Sequence, residues 1–273
     1  MVLFNDKYIT ADNLPVYSKQ AIIVYEVMRL IDRVPLFFED HFERLLASCF
    51  KINHTINIDA HKLLKQLISL GSQNGIREGN VMIKVIFEKN THDIIATFIP
   101  HKYPNANEYL NGVALELFYA QRENPEAKVV QQSIRSMADD LIREKKVYEV
   151  LLVNQQNTIT EGSRSNCFFI KNNCLYTAPL SSVLKGITLL KVIEIAQEKN
   201  IEIEYRAITV SEISEYDAMF LTGTSPKILP VARLGEYHYN AQHKMIRILL
   251  DAYNLLINRY VAEKKETYKS LLR

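Results

Sequence analysis

Tryptophan is absent from the 273 residues, and cysteine occurs only at Cys49, Cys167 and Cys174. An odd count without CxxC spacing argues against a disulfide framework and fits buried free thiols in a reducing cytoplasm. No apolar run approaches the ~20 residues needed to span a bilayer, so no membrane partner is expected. The opening residues, MVLFNDKYITADN, lack the basic n-region and apolar core of a signal peptide, and a cytoplasmic location is the expectation. Charge of one sign is lacking too: 33 Lys and Arg against 31 Asp and Glu leave +2, so nothing calls for a nucleic-acid partner. The seven histidines form no HExxH pair, no serine sits in a GxSxG elbow, and neither GxGxxG nor a Walker loop occurs. Metal, serine-nucleophile and nucleotide readings therefore find no support, and no metal is expected.

What is present is a chain that is 48% hydrophobic and long enough to bury a large core, read here as two domains. Short strands alternate with helices in an α+β pattern. Periodicity predicts a strand over 22–29, an amphipathic helix over 39–50, and a helix over 61–70 closed by Gly71. A strand pair follows at 81–87 and 94–98, around a polar turn at 88–93. The stretch 101–108, with Pro104 and two asparagines, reads as an interdomain linker, which divides the chain into domains 1–105 and 106–273. Beyond it come strands at 113–119, 149–153, 167–171, 174–177, 201–206 and 218–222. Helices are expected at 133–146 and 189–198, with a long final helix over about 241–260.

Four segments of the second half read together. They are the Ala-Lys at Lys128, Ile-Thr-Glu-Gly-Ser-Arg-Ser-Asn at 159–166, Leu-Lys-Gly-Ile-Thr at 184–188, and Leu-Thr-Gly-Thr-Ser at 221–225. In order they supply an amine, a carboxylate and two turns combining glycine with hydroxyls. Pyridoxal 5'-phosphate requires that set. An amine forms a Schiff base with its aldehyde, a carboxylate keeps the pyridine nitrogen protonated, and backbone N–H groups with Thr hydroxyls take the phosphate. Gly186-Ile187-Thr188 precedes the apolar stripe Leu189, Val192, Ile193 and Ala196, which puts it at a helix N-terminus where unpaired N–H groups favour an anion. The same geometry would let Thr188 serve only as an N-cap.

These motifs resemble the fold-type IV pyridoxal-phosphate enzymes, a family of branched-chain aminotransferases, D-amino-acid aminotransferases and aminodeoxychorismate lyases. The resemblance is strongest over 148–232 and extends to 20–50. Thr160-Glu161-Gly162-Ser163-Arg164-Ser165-Asn166 fits the family's T-E-G-x-x-x-N segment, whose Glu contacts the pyridine nitrogen. The stretch 184–188 fits its L-x-G-I-T turn, and Gly223–Val231 fits its G-T-x-x-x-I-x-P-V segment. The resemblance implies a two-domain α+β fold with the cofactor between the domains. It implies Lys128 as the Schiff-base lysine, at the family's spacing ahead of Tyr148-Glu149, and as the proton shuttle. It further assigns Glu161 to the ring nitrogen, and Arg44, Gly186, Ile187, Thr188, Gly223 and Thr224 to cofactor binding. Tyr25-Glu26 resembles the family's aromatic-Glu pair, and 39–45 its E-H-x-x-R-L helix. Tyr25, Arg29 and Ser225 are then placed on the substrate side. Alternation puts Tyr25, Val27 and Arg29 on one strand face and Glu26 with Met28 on the other. Arg29 can meet a substrate carboxylate or pair with an acidic group across the sheet.

The implied reaction is amino transfer between a branched-chain or D-type amino acid and a 2-oxo acid, by a homodimer. Arg122-Glu123-Asn124-Pro125 is similar to the R-x-N-P stretch of the lyases, which keeps pyruvate release from aminodeoxychorismate as an alternative. A non-catalytic relative is a third reading. The chain departs from the family at 17–24, which lacks the usual glycines, and at Gln131, Gln132 and Ser133, where Asn and small or aromatic residues are usual. Substrate preference therefore does not transfer with the resemblance.

Overall fold

A computed structural model describes residues 1–89, 91–122 and 125–269. Asn90 of the expected 88–93 turn, Glu123 and Asn124 of the Arg122–Pro125 stretch, and the side chain of Gln132 lie outside the described residues. The chain divides into two compact units. The first comprises Met1–Lys102, Ala127–Val130 and the residues from Leu256 onward; the second comprises Tyr103–Glu126 and Gln131–Leu255. Lys128 thus belongs to the first unit.

Among the described residues the first unit holds a sheet in the order Lys7–Ile9, Val2–Phe4, Thr91–Ile99, Gly79–Glu88, Ile22–Ile31, Val34–Pro35. Its neighbours are antiparallel throughout. Strand alternation decides what faces the core: Val24, Glu26, Met28 and Leu30 are all buried to 1% exposure or less. Against this strand lies the helix Phe38–Lys51. It starts after Phe37, held in the left-handed region at φ 52, with no side-chain cap at its N-cap. The Phe38 N–H instead donates to the Tyr260 hydroxyl at 3.0 Å, and Glu39 and Asp40 complement the dipole. Phe37 and Phe38 are buried, whereas Phe50 is 72% exposed.

Two expectations are corrected here. The second helix, Ala60–Gln73, runs through Gly71 and ends at Asn74, whose side chain donates to Leu70 O at 2.8 Å. Gly71 is there for closeness rather than for a left-handed turn: a Cβ would lie 3.2 Å from Ile76 O. The expected linker over 101–108 holds the start of a helix, Ala106–Asn111, fixed by a capping box between Asn105 and Glu108. Gly112 (φ 76) ends it, where a Cβ would meet Ala232 N at 2.8 Å.

The second unit is the more strand-rich. Its sheet runs Ile203–Tyr205, Cys174–Thr177, Asn166–Lys171, Ala218–Gly223, Lys227–Leu234, Val113–Tyr119, Glu149–Val153, Thr158–Gly162, Ile208–Thr209, with Tyr237–His238 beside Lys227–Leu234. One face carries a core of Leu115, Leu151, Cys167, Phe169, Met219, Leu221, Leu229 and Val231. The register pairs Asn166 with Thr222 and Phe168 with Phe220, so these four side chains share the opposite face, where the two phenyl rings stack at 5.1 Å. The helix Ile187–Glu198 lies against Ala218–Gly223. The final helix, Lys244–Thr267, is longer than the expected 241–260.

Candidate functional site

In the first unit the strand Ile22–Ile31 organises the candidate residues. Glu26, fully buried, is gripped by the helix beside it: Arg44 Nε donates to Oε1 and Nη2 to Oε2, each at 2.7 Å, and His41 Nδ1 lies 2.8 Å from Oε2. Burial alone would raise the Glu26 carboxyl, but the Arg44 charge and hydrogen bonds, with His41, hold it at about 2. His41 is pushed below its usual value by burial, with Arg44 and Lys128 adding to the effect against Glu26. Two donor groups of Arg44 are therefore committed to Glu26, a role its motif did not disclose.

On the other strand face stands Tyr25, with the Lys128 amine 4.8 Å from its ring centroid. The register puts Tyr25 opposite Lys84 and Arg29 opposite Asn80. The residue directly across the sheet from Arg29 is thus an amide. Lys84 is a candidate that sequence reasoning missed. Its signal was present, since it is the one charged residue in the apolar run 81–87 and it alternates onto the Tyr25 face.

The second unit holds the acidic segment and both turns. Glu161 is 3% exposed at the end of the strand Thr158–Gly162, a strand that periodicity did not reveal. Its Oε2 accepts from Asn166 Nδ2 and from the Leu184 N–H, both at 3.2 Å. Arg122 Nε lies 3.5 Å from Oε1, while Arg122 Nη2 donates to Ser163 O. The loop that follows is drawn tight by Glu149, missed as a candidate. Its buried carboxylate accepts from Ser163 Oγ at 2.6 Å, Val150 N at 2.9 Å, Arg164 N at 3.1 Å and Ser165 Oγ at 3.2 Å.

Gly186 is the N-cap of the helix Ile187–Glu198 and offers no side-chain cap. A Cβ there would lie 2.2 Å from Asn166 Oδ1, so only glycine lets the turn close onto the residue that holds Glu161. Thr188, already inside the helix, is not its cap; its hydroxyl is 3.3 Å from that of Tyr253. Lys185 Nζ sits 3.9 Å from Glu126. Gly223 ends one strand of a hairpin whose tip is Thr224, Ser225 and Pro226, and a Cβ on it would meet Pro226 Cγ at 3.0 Å. Just before it, the Thr222 hydroxyl is buried with no hydrogen-bond partner among the described residues.

These features fit pyridoxal phosphate. A buried carboxylate suits a protonated ring nitrogen, and a helix start without a side-chain cap suits a phosphate. A buried hydroxyl without a partner is the kind of group that a ligand satisfies.

Comparison with known proteins agrees with the motifs. The family model "Amino-transferase class IV" matches residues 23–234. The chain is 30% identical over 220 residues to a Thermotoga maritima protein named "Probable branched-chain-amino-acid aminotransferase", covering 79% of this chain and 78% of that one. It is 27% identical to a D-alanine aminotransferase of Bacillus licheniformis, with coverage of 77% and 78%. The crystal structure of a T.th. branched-chain amino acid aminotransferase with pyridoxamine 5'-phosphate superposes with a TM-score of 0.82 at 18% identity, over 97% of this chain and 96% of that one. The α+β fold is that of the fold-type IV enzymes, and the chain belongs to the class IV aminotransferase family.

Proposed function

We propose that this chain binds pyridoxal 5'-phosphate and transfers an amino group between a small amino acid, of branched-chain or D type, and a 2-oxo acid. The observation that carries the proposal is Glu161, a buried carboxylate tied through Asn166 to the uncapped turn at Gly186. Bound pyridoxal phosphate would supply an electron sink for bond breaking at the substrate Cα. In this reading Lys128 holds the cofactor through its amine and, once released, takes the proton from the substrate Cα as general base and delivers it to C4' of the cofactor as general acid. Glu161 faces the ring nitrogen and favours its protonated form by Coulomb attraction. The N–H groups of Ile187, Thr188 and Thr224, with the Thr hydroxyls, take the phosphate. Gly186, whose own N–H donates to Leu184 O at 2.8 Å, and Gly223 bind it by keeping the two turns free of a side chain, and Arg44 turns toward it the part of its guanidinium that Glu26 does not hold. Tyr25, Arg29 and Ser225 border the substrate.

The reading includes a homodimer in the cytoplasm. Pyruvate release from aminodeoxychorismate is the second reading, favoured by the similarity of Arg122-Glu123-Asn124-Pro125 to the R-x-N-P stretch of the lyases. The test is to supply the loaded protein with single amino acids plus 2-oxoglutarate, and separately with aminodeoxychorismate. Transfer from a branched-chain or D-amino acid supports the proposal. Pyruvate from aminodeoxychorismate without any transfer replaces it with the lyase, and inactivity in both assays leaves only a binding protein.

A further inference from the structure

The segment carrying Lys128 is short and is held against the strand Ile22–Ile31 at Ile23, Val24 and Tyr25, on the edge whose far end, Leu30 and Ile31, pairs with Val34–Pro35. Tyr25 N–H donates to Lys128 O at 3.0 Å, Val130 N–H donates to Ile23 O at 3.0 Å, and Val24 and Val129 form an antiparallel bridge. These contacts fix the lysine's carbonyl side and its successors. Its own N–H goes elsewhere, donating to Ser48 Oγ at 3.2 Å. Ser48 is 1% exposed and lies one turn beyond Arg44, on the helix whose His41 and Arg44 hold Glu26. Alanine would be the easier residue at such a position. Serine is the poorer helix former, and a buried hydroxyl is costly unless it is hydrogen-bonded.

We propose that Ser48 is a positioning residue for the Lys128 amine. By accepting the lysine's backbone N–H, it fixes the point from which the side chain reaches toward the Tyr25 ring, and it ties that point to the helix bearing Arg44. This rests on the proposed role of Lys128. It goes beyond that role by naming what orients the amine. A four-carbon stem on a loosened backbone spends less time aligned, and misplacement of a reacting group by about 1 Å can cost a hundredfold in rate.

The test compares the unaltered protein with Ser48→Ala and Ser48→Thr, the second of which keeps the hydroxyl. In protein without added cofactor, Ser48→Ala should speed hydrogen exchange at the Lys128 amide by about 3–10-fold, the loss of one hydrogen bond. The Tyr25 and Val130 amides should be unaffected, and Ser48→Thr should restore the slow rate. With pyridoxal phosphate added, Ser48→Ala should lower kcat with little change in KM and shift the pH midpoint of the visible absorbance. Ser48→Thr should recover both. Unchanged exchange at Lys128, or an equal rise at all three amides, overturns the proposal. If borohydride does not fix the cofactor on Lys128 in the unaltered protein, the reading of Lys128 fails and Ser48 loses its role with it. If it does fix there and Ser48→Ala changes nothing, only the Ser48 proposal falls.

Discussion

Replacing Gly186 with alanine probes the candidate site with almost no added bulk. The new Cβ would sit 2.2 Å from Asn166 Oδ1, far inside the 3.4 Å at which ordinary contact begins. Asn166 cannot turn away without loss, because its Nδ2 donates to Glu161 Oε2 at 3.2 Å and to Leu184 O at 2.8 Å. Each of these buried bonds contributes about 1–1.5 kcal/mol net, so breaking both costs roughly 2–3 kcal/mol. Because they hold the proposed ring-binding carboxylate and the proposed phosphate turn together, the loss should appear in cofactor binding, as roughly 30–150-fold weaker affinity. Titrating cofactor-free protein with pyridoxal phosphate, followed by its visible absorbance, reads this directly. Combining Gly186→Ala with Asn166→Ala removes the clash, so the double variant should bind better than the sum of the single losses predicts. Affinity within twofold of the unaltered protein for Gly186→Ala alone would refute the reasoning.

Other consequences follow from the same geometry. Glu161→Gln should still bind pyridoxal phosphate yet slow Cα deprotonation by roughly tenfold or more, because the ring nitrogen loses its charged partner; single-turnover absorbance measures it, and an unchanged rate would remove Glu161 from the chemistry. The Glu26 carboxyl is held at about 2, against 4.5 for a free side chain, so the unfolded chain takes up its proton first as pH falls. The stabilisation is fully present above about 4.5 and is lost as pH falls through about 2, so melting temperature should drop across that window and drop less for Glu26→Gln. Arg44→Met leaves that carboxylate buried without its cation and should cost about 3–5 kcal/mol at neutral pH, which a melting curve would show. Light scattering should give about twice the 31.6 kDa chain mass, and an active species at chain mass would exclude the homodimer.

Local pattern carried much of the fold. The strand Ile22–Ile31 and the helix Phe38–Lys51 could be read because each must bury one face, and period 2 or 3.6 records that need in the sequence. The misreadings came where a residue type serves two purposes. Gly71 signals a helix end, yet it is kept inside the helix because Ile76 O leaves little room for a side chain. Pro104 and its neighbouring asparagines look like a linker, although Asn105 and Glu108 carry the spacing of a capping box. Lys227–Leu234 escaped notice because Pro230 interrupts it, and the three-residue strands Val2–Phe4 and Lys7–Ile9 are too short to show a period. For the candidate site, the order of the motifs was legible because each occupies consecutive residues. The contacts that join them were not. Asn166 beside Gly186, Arg122 beside Glu161 and Ser48 beneath Lys128 are long-range approaches that no local spacing encodes.

The central claim is that Lys128 is the amine that carries the cofactor. Borohydride reduction of the pyridoxal-phosphate-loaded protein, followed by peptide mass spectrometry, tests it at one residue. The account predicts a reduced pyridoxyl group on Lys128, absent from Lys128→Ala, with Lys84 and Lys185 unlabelled. A label on Lys84 or Lys185, or undiminished labelling and turnover in Lys128→Ala, would contradict it.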